Sequence, residues 1–98
     1  MPSRITVIFI GFPRLYEFFH GDRIEYVFSG GQLSDLVDDL VLRYGKEVRE
    51  SLLAKGSEKI DPVISVKVNK KHLRREELSQ QVIMDGDEIT FLRLLAGG

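Results

Sequence analysis

The group in this chain best suited to chemistry stands at its end, where Gly97 and Gly98 follow Ala96 and leave a carboxylate with no side chain beside it. Glycine lacks a Cβ and adopts most backbone angles, so such an end can thread a narrow channel and turn its carboxylate into line with a reacting group. The other candidates are weaker. Asp35, Asp38 and Asp39 gather three carboxylates without a turn of oxygen ligands around them, which suits the polar face of a helix better than a metal site. His20 and His72 have neither a nearby cysteine nor a spaced second histidine, so both read as turn or surface residues. Lys67, Lys70, Lys71, His72, Arg74 and Arg75 crowd one segment and could hold phosphate, but no aromatic interleaves them, and hairpin tips are commonly charged because they are solvated. There is no cysteine, which removes disulfides, thiolate nucleophiles and most zinc sites together. The side chains offer no catalytic constellation, and the expected role is that of a noncatalytic protein that binds no cofactor of its own.

The elements that must position that end can be read from periodicity. Ile5, Val7 and Phe9 alternate with Thr6, Ile8 and Ile10, a β-branched run apolar on both faces that suits a central strand. Pro13 blocks its extension, and the aromatic stretch from Gly11 to Gly21 is expected to be an irregular segment or short turn packed on the core. His20-Gly21-Asp22 reads as a turn into a second strand, Arg23 to Phe28, paired with the first. Leu33, Leu36, Val37, Leu40, Val41 and Tyr44 form one stripe at helical spacing, and Gly45 is a fitting terminator, so a helix is predicted from about Gln32 to Tyr44. Val48, Leu52 and Leu53 give a weaker pattern for a short second helix. The period returns to two at Ile64, Val66 and Val68, followed by a turn at Asn69-Lys70-Lys71 and a short strand around His72 and Leu73. Asp85-Gly86-Asp87 is a turn ahead of a last strand, Glu88 to Leu94, with Ile89 and Phe91 facing inward. The predicted order is β-β-α-β-β-β with a minor helix inserted. That is an α+β roll of the β-grasp (ubiquitin-like) type, a mixed sheet of about five strands with one main helix across it.

Composition agrees with a single small globule. Ninety-eight residues, 43% of them hydrophobic, can bury roughly 60 to 70% of the unfolded surface in one core. We expect one domain over residues 1–93 and a flexible tail over 94–98. With 14 basic and 15 acidic residues the chain has no global field, so neither nucleic acid nor an anionic membrane is expected as a partner. The apolar run Ile5 to Ile10 is far too short to span a bilayer and lacks the flanks of a signal peptide, which points to a cytoplasmic location.

The run Asp85-Gly86-Asp87-Glu88-Ile89, then Phe91, then Ala96-Gly97-Gly98 resembles the sulfur-carrier family that includes the molybdopterin synthase small subunit and the thiamine-pathway carrier. Phe12-Pro13-Arg14-Leu15, the helix Leu33 to Tyr44 and Val68-Asn69 sit where that family has similar features, so the likeness covers nearly the whole chain. The resemblance implies that the Gly98 carboxylate is adenylated by an E1-like activating enzyme using ATP, then converted to a thiocarboxylate that passes its sulfur to a synthase large subunit. It also implies that Gly97 and Ala96 thread the partner's channel, with molybdopterin synthesis the first pathway to consider and a thiamine-type thiolation the next. An activation step is needed on chemical grounds too, because a carboxylate resists a sulfur nucleophile until its oxygen becomes a good leaving group.

Two departures bear on the partner. Molybdopterin-type carriers tend to place two prolines before the small-residue tail, whereas this chain has Arg93-Leu94, so its tail should be less stiff. Phe91-Leu92-Arg93-Leu94 is also faintly similar to the end of ubiquitin, but Ala96 stands where ubiquitin has an arginine, which favours sulfur transfer over protein tagging. Leu92, Leu94 and Leu95 leave more apolar side chain near the terminus than a monomer covers easily, and they are expected to dock on the partner enzyme. A ubiquitin-like modifier joined to lysines and a binding module with a chemically idle tail are the alternatives.

Overall fold

The alternating runs of the sequence become β1 (Ser3–Ile10), β2 (Arg23–Phe28), β4 (Ile64–Val68), β5 (Lys71–His72) and β7 (Glu88–Arg93) in the computed structural model, which describes residues 2–94. These five form one sheet in the order β2-β1-β7-β4-β5. β1 and β7 run parallel at its centre, while β2 pairs antiparallel with β1, and β4 antiparallel with both β7 and β5. Alternation then sorts the side chains. Ile5, Val7, Phe9, Tyr26, Phe28, Val66, Ile89 and Phe91 are all buried on one face. Across that face lies α2 (Leu33–Tyr44), whose stripe of Leu33, Leu36, Val37 and Leu40 joins the same core cluster. This is the α+β roll expected from the sequence.

Helix α2 starts where its capping chemistry dictates. The Asp35 carboxylate accepts a hydrogen bond from the Gln32 backbone N–H at 2.8 Å, completing a capping box. Asp35 is therefore a cap rather than a free solvated group. At the far end Gly45 takes a φ of 76° and its N–H donates to the Val41 carbonyl, which separates α2 from α3 (Lys46–Leu52).

Several elements depart from the sequence expectation. The aromatic stretch is a helix, α1 (Pro13–Phe19), rather than an irregular segment. Pro13 stands in its first turn, where a missing N–H costs nothing, so the residue that stops β1 also starts α1. Phe12, Leu15 and Phe19 face the core, and His20 closes the helix in a left-handed conformation at φ 58°. Arg14 holds α1 against α3 through Glu47 at 3.0 Å and Glu50 at 2.5 Å. A second sheet of two short strands, β3 (Gly31–Gln32) and β6 (Val82–Ile83), was not expected, nor was the 3₁₀ turn Arg75–Glu77. The fourth strand of the main sheet is Lys71–His72, leaving Leu73 just beyond it and buried.

One polar contact crosses the core boundary. The Tyr26 hydroxyl donates to the Asp39 carboxylate at 2.5 Å, and the Arg43 guanidinium lies 5.7 Å from the Tyr26 ring centroid. Burial first, and the Asp39 hydrogen bond second, hold the Tyr26 phenol well above its ordinary pKa of 10.0. Below that ordinary value the phenol is neutral in the folded and unfolded chains alike, and its stabilising contribution is complete. As pH rises further the unfolded chain ionises first, so stability is lost on the way to the raised folded value. Tyr26→Phe is expected to cost about 1 kcal/mol at neutral pH. It should also make the alkaline loss of stability shallower, as urea titrations at about pH 7 and about pH 11 would show.

Candidate functional site

The two ends of β7 are treated differently. At its start, the Asp85 carboxylate accepts from the Arg4 N–H at 2.8 Å and the Asp87 carboxylate accepts from the Met84 N–H at 2.8 Å. Asn69, at φ 58° in the β4–β5 turn, donates from its side chain to Asp87 and accepts from the Glu88 N–H, both at 3.0 Å. The Asp-Gly-Asp motif thus ties the beginning of β7 to β1 and to the β4–β5 turn. Its residues serve the fold.

At its other end β7 delivers the chain to the rim of the sheet. Leu92 lies opposite Ile10 on one side and Ser65 on the other, and Arg93 pairs with Ile64. Leu92 and Ile10 point away from the helices, on the face opposite Phe9 and Phe91. Leu92 is half-buried, whereas Leu94 is 71% exposed, Ile10 45% and Val63, just before β4, 55%. An uncovered apolar rim therefore surrounds the point where the chain leaves the sheet. Exposed apolar groups that adjoin in this way mark contact surfaces more often than isolated ones do.

Of the residues given roles from the sequence, Leu92 and Leu94 are placed together at this rim. Leu95, Ala96, Gly97 and Gly98 lie outside the described residues. Sequence reasoning missed Ile10 and Val63. In the sequence Ile10 is one member of a run apolar on both faces, and only the β1–β7 register shows that the last residue of β1 emerges beside Leu92.

The remaining candidates are dispersed. Asp39 is engaged by Tyr26 and Asp35 by the α2 cap, so the three aspartates of α2 do not converge. Among the described residues no group of three or more His, Cys, Asp or Glu is arranged to hold a metal ion, and no helix is long and apolar enough to cross a membrane. Lys71 and Arg74 reach Glu77 at 3.3 and 3.5 Å. The Arg74 N–H and the Lys71 ammonium hold the Glu77 carboxyl below its usual range, so acidic neighbours answer two members of the basic segment. A cavity of about 390 Å³ is lined by Ser34, Asp38, Ile60, Arg75 and Leu78 among others, and none of its lining residues belongs to β7.

A search of curated proteins by sequence gives no significant match. Among solved structures, the small archaeal modifier protein 1 (SAMP1) of Methanosarcina acetivorans is similar with a TM-score of 0.71 at 18% identity, over 100% of this chain and 99% of that one. SAMP1 from Haloferax volcanii gives 0.70 at 20% identity, over 98% and 100% of the two chains. CysO of Mycobacterium tuberculosis, described as an antigen, gives 0.72 at 24% identity, over 93% and 99%. These likenesses establish the β-grasp, ubiquitin-like fold. The profile of the ThiS family matches residues 11–98, from the β1–α1 corner through the glycine pair. The chain belongs to the ThiS family of β-grasp sulfur carriers.

Proposed function

We propose that this protein carries sulfur as a thiocarboxylate on Gly98. An E1-like activating enzyme takes the Gly98 carboxylate and ATP to an acyl adenylate with release of pyrophosphate. Hydrosulfide held by the partner then attacks the carbonyl carbon, the C–O bond to AMP breaks, and the resulting thiocarboxylate gives its sulfur to a precursor bound on a synthase large subunit, water restoring the carboxylate. The chain itself supplies no catalytic group: it supplies a carboxylate, a spacer and a grip. The observation that carries this reading is the asymmetry of β7, bonded on both sides along its length and opening at Arg93 onto an apolar rim. From Leu94 the chain can reach roughly 17 Å when extended, enough to enter a buried nucleotide site while the globule stays outside.

Two steps can be tested separately. After incubation with ATP, an activating enzyme and a sulfur donor, intact-mass and C-terminal peptide spectra are expected to show exchange of one oxygen for sulfur at Gly98. Molybdopterin synthesis is the first pathway to try as acceptor and a thiamine-type product the second, distinguished by which synthase regenerates the carboxylate form. The rim is assigned to the partner contact. Leu94→Asp is expected to weaken the complex by about 1.4–2.8 kcal/mol, or roughly ten- to hundredfold in Kd by calorimetry, with the unfolding midpoint unchanged.

A second reading is favoured by the structural neighbours described as small archaeal modifier proteins. The same adenylate would then be captured by a lysine amine, with AMP leaving and an isopeptide formed. Peptides carrying a Gly98 remnant on lysine, with no sulfur exchange, would select it.

A further inference from the structure

We infer that Gly11 is a positioning residue for the C-terminal tail, an assignment that rests on the carrier reading. Gly11 follows the last residue of β1, at φ +86°, and a Cβ built on it would lie 2.0 Å from the Arg93 carbonyl oxygen, 3.1 Å from its carbon and 3.5 Å from its Cα. All three are backbone atoms, so no side-chain rotation relieves the contact. Nor can the strand retreat, because Leu92 is fixed opposite Ile10 and Arg93 opposite Ile64. The adjustment this leaves on the β7 side is rotation of the Arg93–Leu94 peptide, the first beyond β7. That peptide sets the direction in which the chain departs from β7. Hydrogen at position 11 is therefore the condition for the present orientation of the Arg93–Leu94 peptide.

The consequence is kinetic. A globule docked through its rim must deliver a carboxylate in line with the phosphate it attacks, and a displacement of about 1 Å can cost on the order of a hundredfold in such a reaction. The short stretch from Leu94 to Gly98 leaves little chain in which to correct a wrong departure. A side chain at position 11 should thus lower the rate of adenylation far more than the affinity for the activating enzyme.

Gly86 provides the control. Its φ is +85°, so an alanine there meets the same backbone strain, but nothing lies within 4 Å of its Cβ position, and it sits in the turn that enters β7 rather than beside the Arg93 carbonyl that leaves it. Gly11→Ala and Gly86→Ala are compared as full chains, at a temperature where both are folded by circular dichroism. ATP–pyrophosphate exchange at saturating carrier is expected to fall about tenfold or more for Gly11→Ala and less than about twofold for Gly86→Ala. The Kd for the activating enzyme should stay within about threefold of the parent in both. Equal exchange rates for the two variants would overturn the inference.

Amide spectra separate this outcome from failure of the carrier reading. The Arg93 and Leu94 resonances should move in Gly11→Ala and stay in Gly86→Ala, whether or not the protein is ever loaded. If the parent chain is not adenylated the functional reading falls, and unmoved resonances would overturn the geometric inference on their own. Gly11→Asn, which tolerates a positive φ but keeps the Cβ, repeats the comparison if the alanine variant does not fold. Failure of both to fold while Gly86→Ala folds would make Gly11 a stability residue and overturn the assignment.

Discussion

Deletion of Gly98 is expected to abolish sulfur loading, cutting thiocarboxylate formation by more than about a hundredfold while the thermal unfolding midpoint stays where it was. One residue of extended chain is about 3.5 Å, so the shortened carboxylate stops short of the phosphate, and binding at the rim cannot restore it. No sheet hydrogen bond is lost, because the last paired residue is Arg93. Mass spectrometry after single-turnover incubation reads the first part of this expectation and calorimetry the second. Continued loading on Gly97 at near the parental rate would show that reach does not limit the reaction, and the proposed function would need another acceptor.

The second large effect lies in the core. Phe91 is fully buried, 5.7 Å from Phe9 in a stacked arrangement, and Phe9 in turn stacks on Phe19 of α1 at 5.5 Å. Phe91→Ala removes the ring on which Phe9 stacks in the centre of the sheet, and truncations of this kind cost about 3–5 kcal/mol. A domain of this size has about 5–15 kcal/mol in all, so the midpoint is expected to fall by more than about 12 °C. Loading should fall in proportion to the folded fraction and recover on cooling. That recovery distinguishes it from deletion of Gly98, whose defect is independent of temperature.

The sequence revealed those parts of the fold that repeat. α2 carries its stripe over three turns and β1, β2, β4 and β7 alternate for five residues or more, so each leaves a period long enough to recognise. α1 is seven residues long and begins on Pro13, whose role as a strand stop concealed its role as a helix start. β3 and β6 are two residues each, too short for any period, and exist because tertiary contact brings Gly31 opposite Ile83. The site divides the same way. Leu92 and Leu94 were visible as surplus apolar residues near the terminus. Ile10 and Val63 are remote in sequence and join them only through strand register, and Gly11 gains meaning only from its distance to the Arg93 carbonyl.

The parallel pairing of β1 with β7 also governs how the molecule answers force. A pull applied beyond Leu94 and resisted at the first residues of β1 draws two parallel neighbours in opposite directions along their length, from Thr6 opposite Glu88 to Ile10 opposite Leu92. Their bonds are loaded together in shear rather than opened one after another, as they would be at the tip of an antiparallel hairpin. Traction on a tail held by another machine would therefore meet its greatest resistance at the first step, and the rupture rate would govern how long the globule survives.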